Sequence, residues 1–176
     1  SIAMAEYEAV MDLCKAENGK KLGPAATEAW MGRRFDFSTV ENTLDEPGGV
    51  AETIEIAHYW DGILDTYYEL KKAAKPYAKE VLSHFSHIYP QGTSLYIILL
   101  GKDKDDAEAE ANLIEFWDVI MRICLKNGAA ISHHHGSGLA RSPYVAEALG
   151  SSMQILSRMK KEFDPAGIMN PGKLGL

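Results

Sequence analysis

A chain of 176 residues, 46% hydrophobic and 24% charged, is long enough for one compact domain, or one domain with a docking tail. Its net charge of −7 and the absence of any Lys/Arg cluster interleaved with aromatics exclude a nucleic-acid surface. The longest apolar run, residues 95–100, is too short for a membrane-spanning helix. The first charges are Glu6 and Glu8 rather than basic residues, so no secretory signal is read and a cytoplasmic location is expected. Ser1-Ile2-Ala3, ahead of Met4, is left out of the fold expectation, and self-association is compatible with this composition.

In chain order, residues 4–18 carry Tyr7, Val10, Met11 and Cys14 at helical spacing, closed by Asn18-Gly19. A short helix is expected from Pro24 to Arg33, then a turn at Pro47-Gly48-Gly49. Residues 50–58 alternate as a strand, with Ile54, Ile56 and His58 on one face and Thr53, Glu55 and Ala57 on the other. Helical spacing returns over 61–74, with Ile63, Leu64, Tyr67, Tyr68 and Leu70 as the apolar stripe. Residues 81–89 and 94–101 flank Pro90-Gln91-Gly92 as a hairpin, and the second run is apolar on both faces and therefore central.

Residues 105–126 form the strongest helical pattern. Leu113, Trp117, Ile120, Met121 and Cys124 make its stripe, and acidic residues crowd its N-terminal end. Ser142-Pro143 opens a further helix, interrupted at Gly150 and stopped by Asp164-Pro165, after which the tail is extended. Cys14 and Cys124 read as reduced core thiols. Helices gathered on one face of an antiparallel sheet, an α+β fold, are the expected outcome.

Half of the six histidines stand together as His133-His134-His135, inside Ile131-Ser132-His133-His134-His135-Gly136-Ser137-Gly138. As a metal site the run is poor, because adjacent side chains diverge, although His133 and His135 could chelate with His87 or a carboxylate. As a turn presenting imidazoles to an anionic or oxygen-rich ligand it is natural, with Gly136 and Gly138 allowing close backbone approach. On the first hairpin run, His87 and Tyr89 fall on one face, where a phenol beside an imidazole can be polarised for proton transfer. A core tyrosine bonded to a backbone carbonyl is the alternative. Gly136-Ser137-Gly138 lacks the third glycine of a dinucleotide loop and the lysine of a phosphate loop.

The tail from Lys160 through Phe163-Asp164-Pro165-Ala166-Gly167-Ile168-Met169-Asn170-Pro171-Gly172-Lys173 resembles the C-terminal signature of FAD-linked oxidases of the vanillyl-alcohol oxidase type. The Ser132–Gly138 string, the segment from Glu52 to Trp60, and Ser86-His87-Ile88-Tyr89-Pro90 with Gly92 and Leu95-Tyr96 are most similar to its alkyldihydroxyacetonephosphate synthase branch. The resemblance spans nearly the whole chain. It implies a ferredoxin-like substrate cap over residues 4–163 and a tail, residues 164–176, that docks on a flavin-binding domain supplied in cis or in trans. FAD would be held mainly by that domain, with His135, Asn170 and Lys173 touching it from this chain. The resemblance further implies Tyr89 as the proton-transfer residue, with His134 and His135 beside it in catalysis and His133 lining the pocket. His87, Arg33 and Arg34 are expected to bind a small-molecule substrate. The branch's substrate-activating arginine falls at Glu41, so flavin-linked oxidation of a hydroxy acid or other CH–OH compound is the expected activity. Acyl-for-alkoxy exchange, or a non-enzymatic ligand- or metal-binding role, are the alternatives, and no resident metal is expected.

Overall fold

The computed structural model describes residues 1–176, which divide into two compact units, Ser1–Ser38 and Thr39–Leu176. The first unit holds helices α1 (Ile2–Ala16) and α2 (Ala25–Arg33), with Pro24 as the N-cap of α2 rather than its first helical residue. Neither helix buries a residue within the chain, and Cys14 is exposed, which corrects its reading as a core thiol. Helical spacing shows that a helix has an apolar side; it does not say that this chain supplies the surface to cover it.

The second unit begins in α3 (Ser38–Leu44), a helix the sequence reading passed over because seven mostly polar residues carry no apolar period. Strand β1 (Gly49–Tyr59), helix α4 (Trp60–Ala74), strands β2 (Glu80–Ser86) and β3 (Gly92–Lys102) and helix α5 (Asp106–Asn127) follow. The sheet is antiparallel with order β1-β3-β2, which puts β3 in the centre as its two-sided apolar character requires. Beyond β1, on its free edge, Ala57 and Ala130 exchange both backbone hydrogen bonds, at 3.2 and 2.8 Å. This single bridge stands where a βαββαβ arrangement would place its fourth strand.

One face of the sheet, with Ile54, Ile56, Leu95, Ile97 and Leu99, packs against α4 and α5. On α4 the buried line is Ile63, Thr66, Leu70 and Ala74, while Leu64 and Tyr68 are exposed. On α5 the stripe runs through Ala109, Phe116, Ile120, Met121 and Cys124; Phe116 replaces the expected Leu113 as a core residue. Cys124 is the buried thiol, its pKa pushed up to about 12 by desolvation. Asp105 caps α5 by accepting from the Glu108 N–H, and Gly128 closes it with φ of 73°.

After α5 the chain passes the β1 edge, lays residues 131–136 over the other face of the sheet, and then forms α6 (Ser142–Leu149), which returns to α5 through the Tyr144 hydroxyl and Asp118, and α7 (Ser152–Phe163), separated from it at Gly150. The tail is more turned than extended. Asp164 gathers the N–H groups of Ile168 and Met169 and the Lys160 ammonium, and the last turn, Lys173–Gly175, packs against α6.

Candidate functional site

The register pairs Glu55 with Tyr96 and Tyr96 with His84, so these three lie in one row across the sheet, on the face away from α4 and α5. Residues 131–136 lie over that row. Alternation within β1 had placed Glu55 on the face opposite the core, and there it is fully buried, because the histidine turn covers it. Burial pushes the Glu55 carboxyl toward protonation. The N–H groups of His133, His135 and His134, and the positive field of His134, outweigh that effect and hold its pKa below the usual carboxylate range.

The contacts are direct. Both Glu55 oxygens accept from the His133 N–H, at 2.9 and 3.0 Å; the His134 N–H donates at 3.2 Å, the His135 N–H at 3.4 Å and the Ser132 hydroxyl at 3.2 Å. Consecutive N–H groups converging on one anion form a cradle of fixed partial positive charge. The turn's other backbone groups are held by Arg141, itself buried. Its guanidinium donates to the carbonyls of Ile131 (2.7 Å), Gly136 (3.2 Å) and Glu55 (3.1 Å) and lies over the Trp117 ring. A buried anion thus takes the turn's N–H groups and a buried cation takes its terminal carbonyls. Gly136 turns with φ of 77° and nothing within 4 Å of where a Cβ would stand, so its glycine serves backbone conformation rather than close approach.

Held this way, the three imidazoles meet one another and their neighbours. The Tyr96 hydroxyl is 2.7 Å from His134 Nε2, and the Tyr96 ring meets that of His135 edge-on at 5.3 Å. His87 packs on His134 with ring centroids 4.6 Å apart. Tyr89 packs on His133 at 5.6 Å.

The hairpin differs from its expected form in a way that matters here. β2 ends at Ser86, and His87 turns with φ of 48°, so His87 and Tyr89 belong to the connection and not to a common strand face. They still arrive together. The His87 ring bonds the Ser94 hydroxyl at 3.2 Å, and the Tyr89 carbonyl accepts the Trp60 indole N–H at 2.9 Å. Gly92 permits the close return, since a Cβ there would stand 2.1 Å from the His58 carbonyl oxygen.

The sequence marks Tyr96 as part of an apolar central strand and of a segment that carries the family resemblance, and gives it no role in the site. Its pKa is raised, by burial and then by the Glu55 charge, so the phenol keeps its proton at neutral pH. Arg33 and Arg34 belong to the first unit, at the end of α2; the Arg34 guanidinium lies over the Phe35 ring. Asn170, with φ of 48°, and Lys173, which opens the last turn, are in the tail.

Ring nitrogens of His87, His133 and His134 lie within 4.8 Å of one another, near enough for one cation. They also have partners within the protein: Ser94 for His87, His134 for His133, and Tyr96 and Glu55 for His134. Beside the cluster opens a cavity of about 840 Å³, lined by Tyr89 and His133 and by the apolar Leu125, Ile131, Val145 and Leu149.

The depressed Glu55 pKa has a consequence for stability. Its contribution is fully present above the ordinary carboxyl pKa, near 4.3, and is lost as pH falls through the lower folded value. Urea midpoints between pH 7 and 3 should therefore drop below about pH 4.3. The drop should be smaller in Glu55→Gln. An equal drop in both would assign the acid sensitivity to other carboxylates.

A three-stranded antiparallel sheet with helices on one face and a buried-carboxylate histidine turn on the other defines an α+β domain presenting a polar cluster. Residues 2–174 match the family model described as FAD linked oxidases, C-terminal domain, and the chain belongs to that family, whose cofactor is FAD. It is 25% identical to the alkyldihydroxyacetonephosphate synthase of Dictyostelium discoideum, over 94% of this chain and 28% of the synthase. It is 28% identical to a D-lactate dehydrogenase of Anaerostipes hadrus, over 84% of this chain and 30% of that enzyme. A solved alkyldihydroxyacetonephosphate synthase shares the fold, with a TM-score of 0.57 at 20% identity, over 96% of this chain and 29% of the solved one. The chain therefore spans less than a third of the length of these relatives. No helix is long and apolar enough to cross a membrane.

Proposed function

We propose that this chain is the substrate-covering cap of an FAD-dependent oxidoreductase acting on a hydroxy acid or other CH–OH compound, inactive without a flavin-binding domain. The observation that carries the reading is the Tyr96 hydroxyl held 2.7 Å from His134 Nε2 on a partly open sheet face. When bound, FAD supplies the two-electron acceptor. The residues present fit the ring end of that cofactor. His135 is exposed beside Tyr96, and Ile98 and the exposed Leu82 continue the same face as an apolar surface. His135 would meet the ring, and Asn170 and Lys173 would meet the flavin domain from the tail.

The chain's own residues handle the proton. The phenol, protonated at neutral pH, passes its hydrogen to His134 Nε2 as its oxygen takes the proton of a substrate hydroxyl. His133, His87 and Tyr89 would line the substrate side. The apolar cavity beside His133 supports a second reading, acyl-for-alkoxy exchange on a substrate that carries an apolar chain.

The two readings separate on the enzyme carrying its flavin domain. Rapid mixing with 2-hydroxy acids should bleach the flavin under the oxidoreductase reading. Exchange of a labelled fatty alcohol into an acylated ketone phosphate, with no net bleaching, would replace it with the synthase reading. Neither activity across both substrate classes would sink the assignment of this face to catalysis.

A further inference from the structure

Glu55 makes one contact that holding the turn does not use. Its Oε1 lies 3.3 Å from His134 Nδ1, on the side of the ring opposite the nitrogen that meets Tyr96. A neutral imidazole carries one proton, so only one of its nitrogens donates. With the proton on Nδ1, the polar N–H edge of the ring lies beside the carboxylate, an electrostatic contact at 3.3 Å and not an aligned hydrogen bond, and Nε2 is a bare acceptor for the phenol. With the proton on Nε2, a lone pair faces an anion and the Tyr96 hydroxyl loses its acceptor.

His133 complicates the choice. Its Nδ1 is 3.0 Å from His134 Nδ1 and 3.8 Å from the same carboxylate oxygen, so it could donate to His134 and favour the second arrangement. The two neighbours are unequal. A carboxylate acts as an acceptor only, whereas the His133 nitrogen adjusts to either role by a change of its own tautomer. The other charged group nearby, Arg141, is engaged with three backbone carbonyls. It fixes the turn without selecting a tautomer.

We infer that Glu55 is a positioning residue for the proton-handling pair: it holds His134 as the Nδ1–H tautomer and so aims the Nε2 lone pair at the Tyr96 hydroxyl. The inference rests on the reading of Tyr96 and His134 as that pair. The tautomer itself belongs to this chain and is measured without flavin or substrate. A missing activity therefore leaves the tautomer result standing, and a wrong tautomer leaves the cap assignment standing.

The measurement is a two-bond ¹H–¹⁵N correlation spectrum of the histidine-labelled chain at about pH 8, above the ordinary imidazole pKa near 6.5. The His134 ring is identified by its loss in His134→Gln. The expected pattern is a protonated Nδ1 and a bare Nε2, retained in Tyr96→Phe because the carboxylate and not the phenol sets it. In Glu55→Gln, with folding checked by circular dichroism, Nε2–H should become measurably populated, and Glu55→Asp should restore part of the original preference. A proton on Nε2 in the parent chain, alone or together with Nδ1, overturns the inference. So does a tautomer that switches in Tyr96→Phe, which decides the matter even if Glu55→Gln fails to fold.

Discussion

Replacing Arg141 with methionine should cost about 3–5 kcal/mol of stability, the range for removing one member of a buried charged network. The guanidinium supplies the donors for three carbonyls, and methionine supplies none. Each carbonyl left without a partner costs about 1–3 kcal/mol, and the buried Glu55 carboxylate also loses the positive field of the cation beside it. The loss falls on the turn that carries the three histidines. The expected record is a lower urea midpoint together with faster amide exchange at residues 132–135. A change below about 1 kcal/mol would mean that water takes over the three carbonyls and that the guanidinium is dispensable.

Tyr96→Phe, made in the enzyme with its flavin-binding domain, should lower turnover by about 10²-fold or more, the usual scale of a positioned proton donor or acceptor. The ring stays and only the hydroxyl that meets His134 is lost, so folding and substrate affinity should change little. Tyr89→Phe is the informative companion. Tyr89 is the residue that the family resemblance designates for proton transfer, and its ring packs on His133. A larger loss in Tyr89→Phe than in Tyr96→Phe would put proton transfer on the hairpin connection instead of the central strand. Equal turnover in both variants and the parent would remove tyrosine from the reaction.

The strands and long helices were legible because their signals are local. Period-two alternation over 50–58, the two-sided apolar run at 94–101 and the capped apolar period of 105–126 each belong to a few adjacent residues, and each became the element it suggested. The crowding of three histidines between Ile131 and Gly136 was also plain as a loop in need of a chemical reason. Less was visible of what α1 and α2 cover, since an amphipathic period names a face and not its partner.

What the chain of residue types determined without help is the kind of fold, the central place of β3 and the gathering of imidazoles in one turn. All of these follow from periodicity and from the backbone freedom of particular residues. Only the tertiary structure decided which groups those imidazoles meet. Glu55 in a strand and Arg141 before a Ser-Pro helix start look like ordinary surface charges. They become the anion and cation of the turn because a crossing 76 residues after Glu55 brings Ile131 over it. Tyr96, in turn, reads as one more apolar strand residue until the register sets it beside Glu55 and under His134. Burial of a charge is a property of what folds on top of it, and that covering segment is far away in sequence.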